Sequence, residues 1–151
     1  MKAFQDFYAD EYNHCFGCGS KNKHGHQLKS YWDGEHSVAQ FKPESFHIAF
    51  PGYVYGGLIA SLIDCHGSGT AAAAKFRADG HELGSQSLDR YVTASIKVDY
   101  LAPTPIDEIL DLRGTVLEVG KRKVIVDVTV SAAGKVCAKG HVIAVKMPDH
   151  M

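Results

Sequence analysis

The sequence predicts an α+β domain in which an antiparallel sheet wraps around one long central helix. Three observations carry this expectation. Residues 55–77 hold one sustained helical pattern, with Leu58, Ile59, Leu62 and Ile63 recurring on one face. Residues 91–147 read as four strands joined by short turns. The chain has 151 residues, 45% of them apolar and 22% charged, which suits one domain spanning 1–151 with residues 1–27 as an N-terminal arm and loop.

Along the chain, Phe4, Phe7, Tyr8 and Tyr12 suggest a short N-terminal helix or arm, and Gly17, Gly19 and Gly25 then punctuate a turn-rich loop. Leu28–Asp33 and Glu35–Phe41 read as a hairpin around Gly34, ended by Pro43. The helix follows Pro51-Gly52 and opens with Gly56-Gly57. Its second face carries Gly57, Ala60, Asp64, Gly67, Ser68 and Ala71, small residues that let a sheet or a partner helix come close. Gly67 and Gly69 each cost the helix about 1 kcal/mol against Ala, so packing must require them. Lys75 and Arg77 suit the negative C-terminal end.

Tyr91–Leu101 alternates, with Val92, Ala94, Ile96, Val98 and Tyr100 on one side and Thr93, Ser95, Lys97 and Asp99 on the other. Pro103 and Pro105 break it. Glu108–Val119, Val124–Ala132 and Val136–Lys146 follow, separated by the turns Gly120–Lys123 and Ala133–Lys135. Short connections predict that these four strands lie beside one another as antiparallel neighbours.

Composition excludes several classes. Sixteen Lys+Arg against 17 Asp+Glu leave a formal charge of −1, with no basic excess for nucleic acid and no polybasic run for a membrane surface. Leu58–Ile63 is the longest near-apolar run, far short of the ~20 residues of a membrane span. No apolar segment follows Met1, so no secretory signal is expected. Four unevenly spaced cysteines then suggest reduced thiols and a cytoplasmic protein.

The stretch Pro51-Gly52-Tyr53-Val54-Tyr55-Gly56-Gly57, followed by an apolar run ending in Asp64, resembles the signature of hotdog-fold acyl-CoA thioesterases of the phenylacetate-degradation type. That pattern is Pro-Gly, then His-Gly-Gly, then apolar residues ending in Asp. Tyr91–Pro103 is similar to the strand that follows in that family, and Cys15-Phe16-Gly17-Cys18-Gly19 with Asn22 and Gly25 resembles an N-terminal motif of one branch. The resemblance implies a hotdog fold and an acyl-CoA substrate, with coenzyme A present only as part of that substrate and no other cofactor. It also implies a homodimer with two active sites at its interface, and a dimer of dimers as the next level of assembly. The family's His, which helps hold the thioester, is Tyr55 here. A Tyr hydroxyl can still donate a hydrogen bond.

Thioester hydrolysis needs a carboxylate that attacks the carbonyl or activates water, and donors for the developing oxyanion. The helix N-terminus offers unpaired amides and a positive dipole end, and Gly56 and Gly57 leave a ligand unobstructed. The Gly57 amide is the candidate oxyanion donor and Asp64 the candidate base or nucleophile; the plain alternative is an Asp that meets local donors or solvent. Seven residues at 1.5 Å rise separate them by roughly 10 Å, so one helix cannot bring both to one carbonyl. An antiparallel second helix across a two-fold axis can, and this predicts Gly57 from one subunit and Asp64 from the other.

Thr93 matches a strand position whose hydroxyl orients the water or carboxylate in related thioesterases; an ordinary strand Thr is the alternative. His66, two residues past Asp64, points away from it and reads as a packing or supporting group. Lys121 and Arg122 resemble the family's nucleotide-contacting turn, or are simply solvated; Lys75, Arg77 and Arg90 are weaker phosphate candidates. No metal is expected. A structural zinc site wants four ligands, Cys15-x-x-Cys18 is a single pair, and His14, His24 and His26 are irregularly spaced. A tight Gly-rich turn with buried thiols is favoured over a zinc site or a redox dithiol, and Cys65 and Cys137 read as core.

The reading is an acyl-CoA thioesterase. The alternative from another class is a non-catalytic acyl-thioester-binding hotdog module. A hotdog hydratase or dehydratase comes third, because its fuller motif is not matched.

Overall fold

Val124, Val126, Val128 and Val130 are all fully buried, and they mark the middle of a six-stranded antiparallel sheet. The computed structural model describes residues 1–151. Two 3-10 turns, Phe4–Phe7 and Asp10–Tyr12, form the arm. Then come β1 (Ser30–Asp33), β2 (His36–Phe41), α1 (Gly56–Ala78), β3 (Tyr91–Tyr100), β4 (Leu110–Val119), β5 (Lys123–Ala132) and β6 (Lys135–Lys146). The sheet order is β1-β2-β4-β5-β6-β3, with one long helix packed against it: the hotdog fold.

The expectation that the last four strands are all neighbours is corrected in one place. β4, β5 and β6 do follow as hairpins, but β3 pairs with β6, and β4 pairs with β2 and β5. The segment between β3 and β4 is too long and Pro-rich for a tight hairpin. It crosses the end of the sheet, where Val54 donates to the Thr104 carbonyl at 2.9 Å and Tyr53 bridges Pro105.

The small residues of α1 have identifiable neighbours. A Cβ at Gly67 would lie 2.7 Å from Val142 of β6, and one at Gly140 of β6 would lie 2.2 Å from Ile63 of α1. Glycines on both elements therefore let helix and sheet backbones approach. On its other side the helix is roofed by the arm: a Cβ at Gly69 would meet the Gln5 amide at 2.8 Å, and Phe4, Gln5 and Tyr8 are buried. A helix covered on both sides is apolar nearly all round, which explains the burial of almost every residue from Leu58 to Ala74.

The arm also completes a buried polar network. His66 is fully buried; its Nδ1 meets Ser30 Oγ at 2.8 Å and its Nε2 meets Ser37 Oγ at 3.0 Å. Thr70 donates to Ser37 Oγ, and Gln5 joins Ser30 through both its amide atoms. Burial, resisting the charged form, holds the His66 pKa down at about 4.

β3 departs from the simple alternation expected of it. Its pairing with β6 shifts between Thr93 and Ser95, so Ala94 stands as an extra residue in a β-bulge. One inserted residue flips the face of everything beyond it. Thr93 pairs with inward-facing Ala144, whereas Ile96 and Val98 pair with Val142 and Gly140, also inward. Thr93 and Tyr100, expected on opposite faces, therefore both face the helix. No helix is long and apolar enough to cross a membrane.

Candidate active site

Asp64 sits about two turns into α1 and is half-buried, facing the β3 edge of the sheet. The Thr93 hydroxyl donates to Asp64 Oδ1. The bulge after Thr93 is the local reason: it sits beside the pair and resets the strand so that hydroxyls at both ends reach the helix. At the far end of β3, the Tyr100 hydroxyl donates to the Gly56 carbonyl at 2.8 Å. Sequence reasoning missed Tyr100 because alternation placed it opposite Thr93, and nothing in the residue pattern announces the bulge.

The helix N-terminus is positive, but it is not unobstructed as the sequence suggested, because the Tyr55 ring lies over Gly57 and the Tyr100 ring lies against Gly56. Tyr55 is the N-cap residue, extended in backbone, and its side chain makes no capping bond. Its own N–H donates to the His47 carbonyl at 3.1 Å. The Tyr55 ring folds over Gly57, so that a Cβ there would lie 2.6 Å from the ring; only glycine fits beneath it. Beside this end lies a groove of about 680 Å³ lined by Phe50, Tyr53, Ile59, Leu101 and Thr104 among others. Phe50 is 73% exposed and Leu101 55%, an apolar surface of the kind that a ligand or another chain covers.

The structure brings together Asp64 with Thr93, and Tyr55 with Gly56 and Gly57. It does not bring these two groups to each other within a single chain, since Asp64 lies seven positions, about two turns, beyond Gly57 on the same helix. Lys121 and Arg122 lie exposed at the β4–β5 turn without an ion-pair partner. The weaker phosphate candidates are otherwise engaged. Lys75 pairs with Asp79 at 3.1 Å, Arg77 stacks 3.7 Å above the Trp32 ring, and Arg90 lies over Tyr8. His66 points away from Asp64 into its serine network.

Cys65 is a core residue, as expected, with a further set of neighbours. It is buried, but its sulfur lies in a group with those of Cys15 and Cys18, all within 4.8 Å of one another. These three residues are the only side-chain cluster that could hold a metal ion. Cys137 remains a buried strand residue apart from them.

One long helix packed against a six-stranded antiparallel sheet is the hotdog architecture. The chain belongs to the thioesterase superfamily, whose profile matches residues 51–139. It is 50% identical to a thioesterase superfamily protein from Shewanella loihica PV-4, over 92% of this chain and 98% of that one, with a TM-score of 0.71. The Escherichia coli PaaI protein from the phenylacetic acid degradation operon shares the fold at 14% identity, TM-score 0.66, covering 82% of this chain and 81% of that one. So does smu.793 from Streptococcus mutans, solved with acetyl-CoA bound, at 17% identity and TM-score 0.59, covering 80% of this chain and 88% of that one. No curated protein matches the chain.

Proposed function

We propose that the protein is an acyl-CoA thioesterase working as a homodimer, with dimers paired into a tetramer. Each site takes Asp64 from one subunit and the Gly57 amide from the other. The observation that carries this reading is the Thr93–Asp64 hydrogen bond, which fixes one carboxylate oxygen and leaves the other free to act. An acetyl-CoA complex of a protein with the same fold supports an acyl-CoA ligand.

In this mechanism the free Asp64 oxygen takes a proton from water as the water attacks the thioester carbonyl. The Gly57 N–H, at the positive end of α1, stabilises the oxyanion, and Tyr55 supplies a hydroxyl where the family has His. Collapse of the tetrahedral intermediate breaks the C–S bond. The proton passes to the departing sulfur, giving free acid and coenzyme A. The apolar groove beside the helix N-terminus holds acyl carbons, and Lys121 and Arg122 meet the nucleotide phosphates at the mouth. No cofactor beyond the coenzyme A of the substrate is required. Four free cysteines fit a reducing compartment such as the cytoplasm.

The test is thiol release from a panel of short, long and aromatic acyl-CoAs, with Asp64→Asn alongside. Turnover by the wild type and a loss of roughly 10²-fold or more in the variant support the enzyme. A folded dimer that binds acyl-CoA and hydrolyses none of the panel overturns it. The protein would then be an acyl-thioester-binding module in which Tyr55 has replaced the working residue.

A further inference from the structure

Cys15, Cys18 and Cys65 meet where the N-terminal loop crosses helix α1, a place the thioesterase chemistry does not use. Their sulfurs lie within 4.8 Å of one another, and Cys15 Sγ and Cys65 Sγ are 3.9 Å apart. Tetrahedral zinc with sulfur at about 2.3 Å places its ligand sulfurs about 3.8 Å apart, and the Cys15–Cys65 separation matches that spacing. It is well beyond the ~2.05 Å of a disulfide, and all four cysteines are free.

The turn is tight enough to need its glycines. A Cβ at Gly17 would lie 2.2 Å from Cys65 Sγ, and one at Gly19 would lie 2.4 Å from the Cys15 nitrogen. Gly19 closes the turn by donating to the Cys15 carbonyl at 2.7 Å.

A second observation points the same way. The Arg90 guanidinium lies 4.5 Å from the centre of the Tyr8 ring. Arg90 Nη1 and the Tyr8 hydroxyl are both buried and have no hydrogen-bond partner. Both groups lie within electrostatic range of Cys18. Three neutral thiols give the half-buried Arg90 guanidinium nothing to neutralise. Three thiolates on a divalent ion carry a net charge of −1, which Arg90 offsets.

We propose that Cys15, Cys18 and Cys65 bind one zinc ion through three thiolates, with solvent in the fourth position, and so tie the N-terminal loop to the catalytic helix. Binding replaces three S–H protons by the ion and releases them to solvent; no electron is transferred. The expectation of no metal rested on a single Cys-x-x-Cys pair. The third sulfur comes from a residue 50 positions away that only the fold brings in. The site lies outside the thioesterase chemistry, and the proposal stands whether or not the protein hydrolyses thioesters.

The full-length protein, reduced and freed of metal, should be titrated with Co²⁺ and then Zn²⁺ without oxygen. Thiolate-to-cobalt charge transfer in the near ultraviolet should saturate at one equivalent per chain and vanish as zinc displaces cobalt. Zinc should also raise Tm. Cys18→Ser should lose about a third of the band intensity, one sulfur in three, and bind at least about ten-fold more weakly. Cys137→Ser should behave as the wild type. Absence of the band in folded wild-type protein overturns the proposal, and so does a band unchanged in both Cys18→Ser and Cys65→Ser.

Discussion

The Thr93 hydroxyl has one acceptor, and that acceptor is Asp64. Thr93→Val keeps the branched shape and removes the donor. It should lower kcat by about 10- to 100-fold with little change in KM, while Thr93→Ser retains most activity; steady-state kinetics with the preferred acyl-CoA separate the two. Asp64 was readable as a candidate because it interrupts an apolar helical run. Its partner was readable only through resemblance, since a strand Thr is ordinary by itself. His66 makes a prediction of a different kind. Its pKa is about 4 in the fold against about 6.5 in an unfolded chain, so the unfolded chain binds more protons between those values. The neutral-His stability is complete above pH 6.5, shrinks as pH falls, and is lost to the extent of about 3 kcal/mol once pH drops through 4. Urea unfolding at pH 7 and pH 4.5 should show this acid loss, and His66→Gln should show markedly less of it.

Helix α1 and the β4-β5-β6 meander were legible from periodicity, because each buries a regular face against a neighbour close in sequence. The place of β3 was not. Its partner β6 follows it by two intervening strands, and short-range patterning carries no information about such a crossover. The bulge was hidden for a related reason: Ala94 fits either face, so the sequence alternates on paper where the strand does not. Close packing at glycine is the firmest prediction at this scale. Gly67→Ala improves helix propensity but drives a methyl into Val142, a branched residue in the closely packed core. It should destabilise by about 1–2 kcal/mol net. Val142→Ala should recover part of that loss, so that the double variant costs less than the sum of the singles in chemical denaturation.

At the scale of the molecule, the proposed division of labour between subunits has an arithmetic signature. Asp64→Asn and Gly57→Val chains are each expected to be inactive alone; the Val side chain has no room beneath the Tyr55 ring. Unfolded together in equal amounts and refolded, they should form hybrids in half of the dimers, each with one complete site, and recover about a quarter of wild-type turnover. A site contained within one chain would recover nothing. The arm that roofs α1 carries a separate consequence. It is held by two short 3-10 turns and by side chains such as Gln5 and Tyr8, whereas the opposite face of the helix rests on a continuous ladder of strands. Two walls of such unequal strength do not open together. In native-state hydrogen exchange, amides of residues 4–13 should exchange through a low-energy local opening, and those of β5 only through global unfolding. The roof of helix α1 is therefore the first part of the molecule that a protease should meet, long before the fold itself gives way.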